Sequence, residues 1–142
     1  MRASLAATPA MLKTDIYVQV FINRIRAKNI GSGATSDTLP PEPFSHPRML
    51  VGHFVSAELA VKAAVAEVKG SKLFHTTRML MHPMERLEGG LTQIERRVLH
   101  EMALTAGAGK VAIWEGHVLT DNEPPRLSWR PVGLSQGSTV EV

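Results

Sequence analysis

The chain has 142 residues, 44% of them apolar, with 16 Lys and Arg against 13 Asp and Glu and a formal net charge of +3. This suits a single globular domain with an ordinary core, and the modest charge does not mark a dedicated nucleic-acid binder. The absence of cysteine excludes a disulfide framework, a thiolate zinc site and a cysteine nucleophile.

The elements follow in chain order. Met1-Arg2 and the Ala-rich run to Leu12 have the outline of a secretion signal, but Thr8 and Pro9 break it. Residues 1–10 show no helix or strand period, so Met11 is a candidate start of translation and residues 1–14 are expected to be a flexible lead-in. With no apolar run of the ~20 residues that span a bilayer, the expected location is cytoplasmic.

Asp15 to Ile25 is rich in β-branched and aromatic residues and predicts a strand. Its apolar residues on both faces predict a central strand covered on two sides. Arg24 to Ile30 alternates, with Arg24, Arg26 and Lys28 on one face, and predicts a half-exposed strand. Gly31 to Pro47 is loop-like. A short third strand fits near residues 34–39 or near 49–54.

Ser56 to Lys69 predicts a helix, with Ser56 as N-cap, Glu58 at the positive helix start and Gly70 at the C-terminal left-handed position. Val61, Ala64, Val65 and Val68 form its apolar face. Thr77 to His82 is a strand candidate. Thr92 to Ala106 carries a T-x-x-E capping box, Thr92 with Glu95. Its apolar face is read as Ile94, Val98, Met102 and Ala106, widened by Leu99 and Ala103, with Arg97 and Glu101 spaced to pair. Lys110 to Trp114 predicts the last strand. Residues 15–121 are expected to form the domain, and residues 122–142, rich in Pro, Gly and Ser, a flexible tail. Strand–helix–strand order implies parallel pairing and an α/β class.

Two resemblances add to this. Met49 to Val68 and the stretch Gly89 to Glu115 (GGLTQIERRVLHEMALTAGAGKVAIWE) resemble the first domain of the bacterial actin family, MreB. Tyr17 and Gln19, Phe44-Ser45, the Gly89-Gly90-Leu91-Gln93 block, and Leu119 with Asp121 resemble short stress-induced bacterial proteins of the YjaA-like kind. The resemblance implies half of an actin-like (ribonuclease H-like) domain: a mixed five-stranded sheet with two main helices, opening on three antiparallel strands. It also implies a setting in bacterial stress response or near the cell-shape machinery, with a cytoskeletal protein as partner. The family grips nucleotide through an Asp-x-Gly-Thr turn after its first strand. Here Gln19, Val20, Phe21 and Ile22 stand there, without glycine or carboxylate. Glu115 matches a family carboxylate that positions the attacking water, but the residues after it are Gly116 and His117. ATP hydrolysis is therefore not expected.

No other motif commits the chain to catalysis. His46, His53, His75, His82, His100 and His117 lack metal-ligand spacing on any helix. Ser45-His46 and Ser56 lack a nucleophile elbow. Glu85, Glu88 and Glu115 read as surface acids, and Gly89-Gly90 as a turn rather than a phosphate loop. Arg24, Arg26 and Lys28 read as a wet sheet face without interleaved aromatics, so nucleic acid is not the expected partner. The ending Thr139-Val140-Glu141-Val142 fits addition to a sheet edge in a PDZ-type groove, though such endings are common by chance. The expectation is a non-enzymatic partner-binding protein with no cofactor, metal or catalytic residue. The alternative is a small enzyme using a His, Glu and Arg pocket.

Overall fold

The computed structural model describes residues 13–70, 76–120 and 138–141, the last four as backbone only. The chain is α/β, with strands β1 (Lys13–Phe21), β2 (Arg24–Asn29), β3 (Thr35–Thr38), β4 (Thr76–Pro83), β5 (Lys110–Glu115) and β6 (Ser138–Glu141). Helix α1 spans Phe54–Lys69 and α2 spans Gln93–Thr105.

The sheet order is β3-β2-β1-β4-β5-β6. β1, β2 and β3 form an antiparallel meander, β4 pairs parallel to β1, β5 pairs parallel to β4, and β6 closes the edge antiparallel to β5. Five strands thus make the mixed sheet expected from the sequence. The sixth lies inside the segment expected to be a loose tail, and its backbone hydrogen bonds to β5 tie residues 138–141 to the sheet. Residues 1–12, with the Met11 start site, and His75 lie outside the described residues. Among the described residues no helix is long and apolar enough to cross a membrane.

Both helices pack on one face. Ile16, Val18 and Val20 of β1, Ile25 and Ala27 of β2, Met79 and Met81 of β4, and Val111 and Ile113 of β5 share a core with Val61, Ala64, Val65 and Val68 of α1 and Leu99, Met102 and Ala103 of α2. Alternation in each strand selects these residues. The expectation of cover on two sides holds differently: the opposite face of β1 carries Tyr17, which joins Leu80, Ala112 and Trp114 in a smaller cluster against Ile30 and Leu119.

Several local readings change. The strand expected over residues 15–25 is split by a turn at Ile22-Asn23, because Asn23 adopts φ 51°. The third strand is the first of the two alternatives. α1 starts at Phe54 with His53 as an N-cap that makes no side-chain bond. Ser56 is therefore inside the helix, buried, and its hydroxyl donates to the Glu42 carbonyl. Glu58 lies beyond the first turn and accepts the Thr105 hydroxyl of α2 at 2.7 Å. Gly70 has φ 79° but ψ −177°, outside the left-handed helical region.

The capping box of α2 is present on both sides, and Arg97 pairs with Glu101 at 3.2 Å. The apolar face of α2 is rotated from the expected one. Met102 is fully buried, whereas Ile94 is 72% exposed and Val98 is only half-buried. The side that faces the core is the one bearing Leu99, Met102 and Ala103.

Candidate functional site

In open α/β sheets ligands bind beyond the carboxyl ends of the parallel strands. Here that end gathers the turn after β1, the segment after Pro83 and the end of β5 at Glu115. In the turn after β1 the backbone donors of Ile22 and Asn23 are already used. The Ile22 N–H donates to Glu85 Oε2 at 2.7 Å and the Asn23 N–H to Ser45 Oγ at 3.0 Å. Asn23 Oδ1 in turn accepts the N–H groups of Phe44 and Ser45, both at 2.7 Å. This fastens the 39–53 loop, whose Phe44 ring is fully buried in the core.

Several other polar groups at this end are turned on one another, although Arg96 Nη1 is buried without a hydrogen-bond partner among the described residues. Glu115 takes the Arg96 guanidinium on one oxygen and the Leu91 N–H at 3.1 Å on the other. Arg86 donates to the carbonyls of His46 and Pro47 at 2.7 and 3.0 Å. Gly89 and Gly90 both have φ 81°, and Gly90 N–H closes a turn on Leu87 O at 2.8 Å. The capping box then fills donors of α2: Thr92 N–H goes to Glu95 Oε1 and Glu95 N–H to Thr92 Oγ1. A glycine pair before a helix reads as a phosphate loop only when such donors are free. Beside this end lies an apolar crevice lined by Met49, Val51, Leu91, Ile94 and Val98, with Glu85, Arg86 and Glu95 at its rim.

The helix-free face holds a second polar group that sequence reading did not find. Tyr17 Oη lies 2.5 Å from His82 Nδ1, and His82 Nε2 lies 3.1 Å from the Gly116 carbonyl. A carbonyl only accepts, so Nε2 carries the proton of the neutral ring, Nδ1 accepts, and Tyr17 donates. The Leu119 N–H donates to Tyr17 Oη at 3.4 Å. His82 is 1% exposed. Burial pushes its pKa down from 6.5 to about 4, opposed by the Gly116 carbonyl and assisted by nearby His117. The rings of Tyr17 and His82 stack at 5.7 Å. Trp114 completes the group through Nε1–H to the His117 carbonyl at 2.8 Å. A Cβ on Gly116 would lie 2.7 Å from the Trp114 ring, so the close approach requires glycine.

The basic stripe takes the expected face, with Arg26 exposed and Arg24 and Lys28 half-buried. The reading that no aromatic accompanies it is corrected. Arg24 lies over the Phe21 ring at 4.8 Å while its guanidinium grips Asp37 at 2.7 and 2.8 Å. Those bonds hold the Asp37 carboxyl below its ordinary range. Phe21 and Arg24 are register partners across the hairpin, which the one-strand reading concealed.

The remaining candidates do not converge. Ser45 Oγ donates to Leu50 O at 2.6 Å, and neighbouring His46 Nδ1 accepts the Arg48 N–H, so the two form no nucleophile–base pair. His100 lies on α2, His53 caps α1 and His117 follows β5. Among the described residues no three His, Asp or Glu side chains form a group that holds a metal ion. Glu85 and Glu115 engage different partners, and Glu88 lies with Arg48, Arg86 and Glu95 around a shallow polar depression.

No family model matches the chain. The chain is similar to the "Uncharacterized protein YjaA" of Escherichia coli (strain K12), with 28% identity over 109 residues covering 72% of this chain and 83% of that protein. The likeness read from Tyr17, Gln19 and the Gly89-Gly90 block therefore extends over most of the chain.

Proposed function

We propose that this chain is a non-enzymatic partner-binding protein, built on an actin-like (ribonuclease H-like) half-domain without a nucleotide site. The order of elements supports the fold part: an antiparallel three-stranded start, then helix, strand, helix, strand. The observation that carries the functional part is the turn after β1. Glu85 places a carboxylate on the Ile22 N–H, where a phosphate-binding turn needs a free donor and no negative charge. The rival reading, a small enzyme, needs a reactive group that substrate can reach. His82 has a strongly shifted pKa, but it is sealed in the sheet and committed on both nitrogens.

The partner is a protein, and the setting in bacterial stress response or cell shape is supplied by the resemblance. Affinity purification of the tagged chain at native level from its host, followed by size-exclusion chromatography, tests the reading. Co-elution with one protein in stoichiometric amount supports it. Elution alone, together with turnover of a small molecule by the purified chain, contradicts it.

A further inference from the structure

The stretch Ser138 to Glu141 suits addition to a sheet edge, and the sheet it adds to is its own. β6 lies antiparallel to β5, with Ser138 opposite Glu115 and Glu141 opposite Ala112. Among the described residues β5 is the only element with which β6 makes extensive contact. Strand addition draws its affinity from main-chain bonds, which tolerate many side chains. An extended segment in the same register can therefore take the place of β6. We propose that the outer edge of β5 is a strand-addition site for an extended segment of a protein partner, with β6 as its resident competitor. This names the surface used by the partner-binding protein proposed above, and it rests on that reading.

β5 is built as an interior strand. Val111 and Ile113 are buried in the helix-covered core, and Ala112 and Trp114 in the cluster on the other face. Between Lys110 and Glu115 it carries neither a charge nor a proline, the devices that blunt an edge. Glu115 itself is turned onto Arg96 and the Leu91 N–H. The opposite edge of the sheet is guarded differently. β3 consists of Thr35, Ser36, Asp37 and Thr38, is followed by Pro40 and Pro41, and has Asp37 paired with Arg24. The edge that demands a strand is therefore that of β5. β6 meets the demand with 4 residues where β5 has 6. Residues 121–137 tether β6 to the same sheet, which gives it an effective concentration of roughly millimolar. The site thus excludes weakly pairing strands and admits a longer one, rich in β-branched residues as Thr139 and Val140 are, that pairs along all of β5.

The probe is a synthetic peptide of residues 136–142, labelled at its N-terminus. Its binding is read by fluorescence anisotropy, and its place by the backbone amide resonances of the full chain. Consecutive N–H groups of a strand point to opposite edges. Thr139→Pro together with Val140→Pro therefore removes a donor that points at β5, whichever of the two it is, and unseats β6. The double variant should bind the peptide saturably, with shifts at residues 110–115, and severalfold more tightly than the wild-type chain, in which β6 competes. No saturable binding to the double variant, equal binding by the two chains, or shifts at β3 in place of β5 would overturn the proposal. Should the double variant not fold, the wild-type chain is titrated with the peptide to millimolar concentration and followed by hydrogen–deuterium exchange. Loss of protection at the chain's own residues 139–141, with β5 still protected, supports the site, and unchanged protection at 139–141 overturns it. Failure of the peptide to bind leaves co-elution with a host protein untouched, so the strand-addition site and the partner-binding reading fail separately.

Discussion

Asn23 and Ser45 hold each other by reciprocal hydrogen bonds: the Asn23 N–H donates to Ser45 Oγ at 3.0 Å, and Asn23 Oδ1 accepts the Ser45 N–H at 2.7 Å. The same oxygen accepts the Phe44 N–H, so one side chain sets both the β1–β2 turn and the position of the loop that buries Phe44. Asn tolerates the positive φ of 51° that this turn requires.

Asn23→Ala removes two hydrogen bonds to part-buried amides and places a Cβ-strained residue at positive φ. We expect a loss of about 2–4 kcal/mol. Asn23→Gly loses the bonds without the strain and should cost less. Urea unfolding of the three proteins checks the order. Equal losses would show that backbone strain plays no part at this turn.

Met102 and Ile94 test the orientation of α2. Met102 is fully buried, so Met102→Ala should destabilise by about 2–5 kcal/mol. Ile94 is 72% exposed, so Ile94→Ala should change stability by less than about 0.5 kcal/mol. Denaturant midpoints of both variants distinguish this from the stripe the sequence suggests, in which both residues would matter.

The buried neutral His82 makes stability depend on pH in one direction. Its pKa is about 4 folded and 6.5 as the reference, so between these values the unfolded chain binds more protons. The contribution is complete above pH 6.5 and is lost as pH falls toward 4, at up to about 1.4 kcal/mol per unit and about 3 kcal/mol in all. His82→Gln should flatten this part of the profile. The lowered Asp37 acts only below its ordinary range, outside the window. Urea unfolding at several pH values measures the slope, and an unchanged slope in His82→Gln would contradict the assignment.

Local chemistry was the legible part of the fold. The Thr92–Glu95 box and the alternation of Arg24 to Asn29 are decided by neighbours in sequence, and both hold. Readings that needed distant partners went astray. Ser56 looks like a cap, but it serves the Glu42 backbone from inside the helix. Phe44 looks like a loop residue, yet it fills the core because Asn23 anchors its backbone. Tyr17 and His82 meet across 65 positions through the parallel pairing of β1 and β4, and no spacing along the chain announces that. The stretch Gln19 to Ile22 reads as a turn in the sequence, but Gln19 to Phe21 belong to β1, the turn falls at Ile22-Asn23, and the carboxylate that takes the Ile22 donor comes from Glu85, which reads as a plain surface acid.

The turn after β1 is expected to receive no phosphate, and calorimetric titration of the full chain with Mg-ATP tests this. The backbone N–H groups of Ile22 and Asn23 are engaged by Glu85 and Ser45, so no binding heat should be observed up to millimolar nucleotide. A saturable isotherm with micromolar affinity would contradict the account, because it would require those donors to be free.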